Sequence, residues 1–250
     1  MKKLIWKNLW QAVAAIVFLI VVWLVAYFAA GNELLIPSFS DSMKEIGELF
    51  ASGGFWKGFG LTMLRVLWAF SLSLACALIL GVLAYLYPSL AGFLAPVVSA
   101  LRSLPVMAVL LILLSFLGVK EAPVAVAFLS LFPMLYAGIL AGISSVDKRF
   151  IEASRVEGTG LFRRVYAIYL PLSAPYILKE GGAALSFAVK LIVSAEVLAY
   201  TPFSLGGMMQ DAKIYELPQL FALVAFAFVA GLILEMLVGL FAEWVEKRVK

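Results

Sequence analysis

Asp147-Lys148-Arg149-Phe150-Ile151-Glu152-Ala153-Ser154-Arg155-Val156-Glu157-Gly158 opens the one long charge-rich segment of this chain, which continues through Leu161, Arg163, Arg164 and Ile168 to Pro171. With five basic and three acidic residues, segment 147–173 is too polar to cross a bilayer. Its surroundings are the reverse. Hydrophobic residues make up 64% of the 250 and charged ones 14%, against about 25% charged in soluble domains. A spanning helix needs about 20 predominantly apolar residues, and six stretches qualify, near 11–30, 61–87, 93–117, 122–146, 174–200 and 217–241. The expectation is an all-α membrane protein with six transmembrane helices in a single transmembrane domain, 1–250, and a polar loop at 147–173.

The residue inventory removes several function classes. Cys76 is the only cysteine and sits in the second apolar stretch, and histidine is absent. Disulfide frameworks, metal clusters and the usual general base are thereby excluded, so no metal site and no catalytic residue are expected. The chain lacks a G-x4-G-K-[ST] sequence to cradle ATP phosphates and lacks a nucleophile–base pair, so it is read as not an enzyme. Net charge is +4 without a basic stripe interleaved with aromatics, which argues against nucleic acid. The charge speaks instead to topology. Lys2, Lys3, Lys7, Lys148, Arg149, Arg155, Arg163, Arg164, Lys247, Arg248 and Lys250 would share one side, against Lys44, Lys57, Lys120 and Lys213 on the other. That bias places both termini and the 147–173 loop in the cytoplasm, with membrane lipid around a multi-pass protein. Met1-Lys2-Lys3 and the following apolar run imitate a signal peptide. The run from Ala12 to Ala30 exceeds the 7–15 residues of an h-region, so it is read as an uncleaved first helix.

Local signals refine the picture. Ser42 to Phe50 reads as a short amphipathic helix on the external face, and Pro202 with Gly206-Gly207 signals a reversal or broken helix. Pro96, Pro105 and Pro133 fall in or near spans, where kinks are tolerated. Gly138 and Gly142 form a GxxxG that permits close helix approach. In the polar loop, Asp147 is expected to cap a helix containing Glu152, Ala153 and Val156. Gly158 and Gly160 then allow a bend. A second helix would carry Leu161, Val165 and Ile168 on one face, Arg163 and Arg164 pointing elsewhere, and stop at Pro171. Such an elbow suits either docking into a partner's groove or lying on anionic lipid.

The pattern of Glu152, Ala153, Ser154, Gly158, Ile168, Leu170 and Pro171 resembles the EAA loop of binding-protein-dependent ABC importer permeases. The similarity extends over nearly the whole chain and is greatest to the nitrate, sulfonate and taurine branch, with a MetI-like fold. Leu35-Ile36-Pro37-Ser38, Arg65-Val66, Leu101-Arg102-Ser103-Leu104-Pro105, Ala195-Glu196 and Ser204-Leu205-Gly206-Gly207 resemble elements of that branch. Two departures are Ser154 in place of the second alanine and Ser103-Leu104 in place of Pro-Ile. The resemblance implies a permease core of five helices over 57–245 behind the first helix, with 147–173 as the coupling loop. It implies that Glu152, Ala153, Ser154, Val156, Gly158, Leu161 and Pro171 couple to a cytoplasmic ATP-binding-cassette ATPase dimer, which would bind the ATP and Mg. A second permease subunit and an extracytoplasmic solute-binding protein are the other implied partners. The half-transporter length and the GxxxG at Gly138 and Gly142 fit a homodimer.

Arg65, Arg102, Lys190, Glu196 and Glu235 lie inside apolar stretches, so each is expected to face protein, water or an interface. Lys190, Glu196 and Arg102 are candidates for a translocation pathway. Lys190 and Glu196 are six residues apart, about 240° around a helix, and so do not pair directly. A lysine on the pathway favours an anionic solute; sulfonate, nitrate, taurine, a thiamine precursor or a flavin remain open. The other transport class compatible with these charges is an ion-coupled secondary carrier, although such carriers are commonly built from internal repeats and none stands out here.

Overall fold

The computed structural model describes the backbone of residues 2–33 and 35–249, and all their side chains except those of 2–13, 15, 16, 148, 155, 214, 215 and 249. Everything regular among the described residues is helical. α1 (Lys2–Ala30), α2 (Phe39–Ala51), α3 (Gly53–Leu86), α4 (Pro88–Ser103) and α5 (Val106–Ser144) lead to the polar elbow, α6 (Lys148–Val156) and α7 (Leu161–Arg164). A π-helical turn, Val165–Tyr169, joins α7 to α8 (Leu170–Ala199), followed by α9 (Leu205–Tyr215) and α10 (Leu217–Val249). Gly53–Leu86, Val106–Ser144, Leu161–Ala199 and Leu217–Arg248 are each long and apolar enough to cross a membrane, and Val17–Ala30 is a shorter apolar helix.

Two of the expected spans are built differently from the sequence reading. The third crossing is not one helix over 93–117. It begins at Pro88, breaks at Leu104–Pro105 and resumes at Val106, because Pro105 lacks the N–H that would continue the ladder. α5 in turn is not one rod. Gly118 adopts φ 76° and ψ 177°, and Leu110 shares a buried cluster with Ala122 and Val126. In a straight helix Leu110 and Val126 would stand about 24 Å apart, so the chain doubles back at Gly118 and the third and fourth crossings are antiparallel. The amphipathic α2 is present, with Ser38 accepting from the Asp41 N–H at 3.1 Å, as is the broken segment around α9.

Small residues let these helices approach. On α3 the buried positions Thr62, Val66, Ala69, Ser73, Ala77, Gly81 and Ala84 recur every three or four residues, while Leu64, Trp68, Leu72 and Ile79 remain exposed. This small-inside, large-outside stripe is what helix packing in lipid requires. The GxxxG is used within the chain. A Cβ on Gly138 would stand 3.3 Å from the Glu180 Cβ, and one on Gly142 3.0 Å from the Tyr176 ring. It therefore packs α5 against α8 and offers no support for a homodimer.

The tightest approach is at α9. A Cβ on Gly206 would stand 2.3 Å from the Glu196 Cβ and 2.5 Å from the Val197 nitrogen, both parts of a helix. Gly92 on α4 has nothing within 4 Å. Gly206→Ala is therefore expected to destabilise the detergent-solubilised protein by about 1–3 kcal/mol, whereas Gly92→Ala leaves stability unchanged or raises it. Fluorescence-detected size exclusion after heating measures both.

Candidate functional site

Both ends of α6 are fixed by local chemistry. Asp147 Oδ1 accepts from the Arg149 N–H at 2.9 Å, which caps the helix as its sequence position suggested. At the other end Gly158 has φ 70°, and the Thr159 N–H reaches back to the Ser154 carbonyl at 3.0 Å. This is a Schellman closure with glycine in the left-handed position. Gly160 needs no such freedom, since its φ is −63°. Ile151 and Ser154 form the inner face of α6, buried, with Ser154 Oγ donating to the Ile151 carbonyl at 2.7 Å. Glu152, Ala153 and Gly158 face outward. Among the described residues, chain neighbours aside, no atom lies within 4 Å of a Cβ built on Gly158.

The outer apolar surface of the elbow is larger than the sequence suggested. Val156 is 89% exposed and Phe162 86%, with Phe150 and Tyr166 also exposed. Val165 and Ile168 pack against the core instead, and Leu161 borders a cavity with Tyr85, Arg164 and Tyr169. Phe150 and Phe162 were missed because helical periodicity ranks residues by a common apolar face, and theirs is the face away from the bundle. Arg164 turns inward, its Nε buried and, among the described residues, without a hydrogen-bond partner. Pro171 does not stop the helix. The ladder widens to a π turn, in which the Leu170 N–H bonds the Val165 carbonyl, and the helix runs on from Leu161 to Ala199. The wider turn lets the proline ring clear the preceding carbonyls.

At the far end of α8, Glu196 has no exposed surface. Its carboxylate accepts from Arg65 Nη1 at 2.8 Å, from Thr62 Oγ1 at 2.9 Å and from the Gly206 N–H at 3.3 Å. Thr62 Oγ1 in turn accepts from the Leu205 N–H at 2.9 Å. Glu196 therefore ties α3, α8 and the start of α9 together in a closed network and lines neither of the cavities described next. Arg65, expected to face protein, water or an interface, is its partner.

Two cavities hold the remaining intramembrane charges. One, of about 1030 Å³, lies among the first half of α5, α8, α9 and α10, and contains Lys190, Lys213 and Glu235. The other, about 530 Å³, lies among α4, the second half of α5 and α8, and contains Arg102 and Glu180. Arg102 Nη2 donates to the Pro133 carbonyl at 3.1 Å. The structure thus separates the three pathway candidates, with Lys190 in one cavity, Arg102 in the other and Glu196 in neither. Glu180 escaped the sequence reading although its charge within the fifth apolar stretch was signal enough.

Residues 73–250 match the family described as the inner membrane component of binding-protein-dependent transport systems. A probable ABC transporter permease of Brucella melitensis is 29% identical over 83% of this chain and 85% of its own. The taurine transport system permease TauC of Escherichia coli is 25% identical over 78% of this chain and 73% of its own. Among solved structures, an amino acid ABC transporter shares the fold, with TM-score 0.65 at 20% identity over 81% of this chain and 96% of that one.

The closed network makes unequal demands on its members. Removing one partner of a buried ion pair leaves an uncompensated charge, at about 3–5 kcal/mol. Arg65→Met should therefore destabilise the protein strongly, and Arg65→Met combined with Glu196→Gln should recover much of the loss. Thermal denaturation of both variants in the same detergent measures the difference.

Proposed function

The chain belongs to the family of inner membrane components of binding-protein-dependent transport systems, and on that premise we propose that it is the translocating subunit of an ATP-driven importer, coupled to a separate ATPase through the 147–173 elbow. The observation that carries this reading is the exposed apolar pair Phe150 and Val156 on a helix fixed at both ends, joined by exposed Phe162 on the elbow's second arm. Such a surface suits a protein groove. An exposed ion pair contributes only about 0–1 kcal/mol, so Glu152 gives the contact orientation while the apolar side chains supply most of the affinity. Gly158 keeps the elbow's second arm in place, and the space around it admits a partner's backbone.

In this reading both termini and the elbow lie in the cytoplasm, ATP and Mg are bound by the partner, and two permease subunits enclose the pathway. Nucleotide-driven closure of the ATPase would draw the elbows together and shift the bundles between inward-open and outward-open states through differential binding. An extracytoplasmic binding protein would deliver a small polar or anionic solute. Lys190 and Arg102 are the pathway-lining groups in this scheme. An exposed lysine on an apolar span has to face water or protein.

Co-purification tests the coupling. Gly158→Asp, Glu152→Lys and Phe162→Ala should each lose the co-purifying ATPase and abolish uptake while the protein remains monodisperse in detergent. Wild-type uptake by Gly158→Asp would count against the elbow as the coupling element.

A further inference from the structure

Resting on that reading of the chain as a translocating subunit, we propose that the cavity holding Arg102 and Glu180 is a subsite for small solutes carrying both a negative and a positive group. The anionic end would sit at Arg102 and the cationic end at Glu180. Both side chains line one cavity of about 530 Å³, within the range of small-molecule sites. Among the described residues neither takes part in an ion pair. Arg102 gives one Nη to the Pro133 carbonyl, which leaves further donors of its guanidinium for an anion.

Their spacing follows from α5. Arg102 is level with Pro133, which it hydrogen-bonds, and Glu180 is level with Gly138, whose added Cβ would touch the Glu180 Cβ. Five residues of helix separate those levels, about 7.5 Å. A solute whose two charged ends are separated by up to three carbons bridges that axial offset, the two long side chains adjusting to its ends. The walls supply Met134 and Phe187 for an aliphatic linker, and Ser130 and Tyr176 as hydroxyls. The larger cavity does not offer this match. Glu235 is level with Gly182, whose added Cβ would stand 3.3 Å from the Glu235 carbonyl oxygen. Lys190 lies eight residues further along α8, about 12 Å away, so the opposite charges there are set farther apart. Two opposite charges that line one cavity without pairing can both be met by a single dipolar occupant. A dipolar solute does so with no net charge to carry through the membrane.

The test uses the full chain in lipid nanodiscs, with empty nanodiscs as the blank. Three probes of matched size are titrated by saturation-transfer NMR: 4-aminobutanoate, butanoate and butylammonium. The dipolar probe should bind about tenfold more tightly than either single-charge probe. Glu180→Gln should erase its advantage over butanoate, and Arg102→Gln its advantage over butylammonium. Equal binding of the three probes, binding of none, or an unchanged preference in Glu180→Gln overturns the proposal. The wild-type comparison decides alone if a variant does not fold. No ATPase is required, so loss of the dipolar preference with elbow docking intact defeats this subsite only, and the converse defeats the coupling reading only.

Discussion

A fully buried carboxylate inside a membrane bundle has to be bonded on every side, and Glu196 meets that demand with three donors from two other helices, α3 and α9. In a medium with no water to accept the charge, each missing donor would be expensive. The consequences extend beyond the carboxylate. Thr62 and Arg65 have to share one face of α3, one turn apart, to reach it together. Gly206 has to lack a side chain so that its N–H can approach. Ser204 has to start α9 with its Oγ accepting from the Gly207 N–H at 2.9 Å, because the direction of that first turn aims the Leu205 and Gly206 amides at Thr62 and Glu196. The segment Ser204-Leu205-Gly206-Gly207 is thus a docking surface for α9 inside the bundle.

The elbow follows a different rule. Where the Glu196 network is closed, α6 is open, with its caps satisfied locally and its outward apolar residues exposed among the described residues. Local closure at Asp147 and Gly158 fixes the helix ends without help from the bundle. Ile151 and Ser154 then anchor one face, so the direction of the opposite face is set before anything docks on it. In the proposed reading, that combination of an anchored inner face and an unfilled outer one is what suits α6 to recognition.

Much of this was legible in the sequence, for identifiable reasons. Apolar run lengths located the crossings, since lipid imposes a length that no other environment imposes. Asp147 and Gly158 carry backbone requirements that only a few residue types meet, so their roles could be read directly. The misreadings share a cause too. Pro105 was seen, but whether a proline kinks a helix or ends it depends on whether neighbours restore the lost bond, and sequence does not contain the neighbours. Pro171 went the other way, absorbed by a π turn. Glu196 and Arg65 lie 131 positions apart, and no periodicity links them. The GxxxG was recognised as a close-contact site, but a small-residue stripe does not say which helix it meets, and here that helix is α8.

The elbow and the intramembrane charges meet on a single element. The helix from Leu161 to Ala199 is continuous across the π turn, so the elbow's second arm, Glu180, Lys190 and Glu196 belong to one rod. Glu196 joins the far end of that rod to α3 and α9, while Gly138 and Gly142 clamp its near half to α5. In the proposed scheme a displacement of the elbow is carried along this helix, tilting α8 about the packed α5 contact or sliding it along that contact. Either motion changes the distance between Glu180 on α8 and Arg102, which is held to α5 through the Pro133 carbonyl. In the proposed scheme, the cavity whose two charges meet a dipolar solute is thus the cavity whose dimensions the elbow sets, and nucleotide-driven movement would reach the solute through the spacing of those two groups.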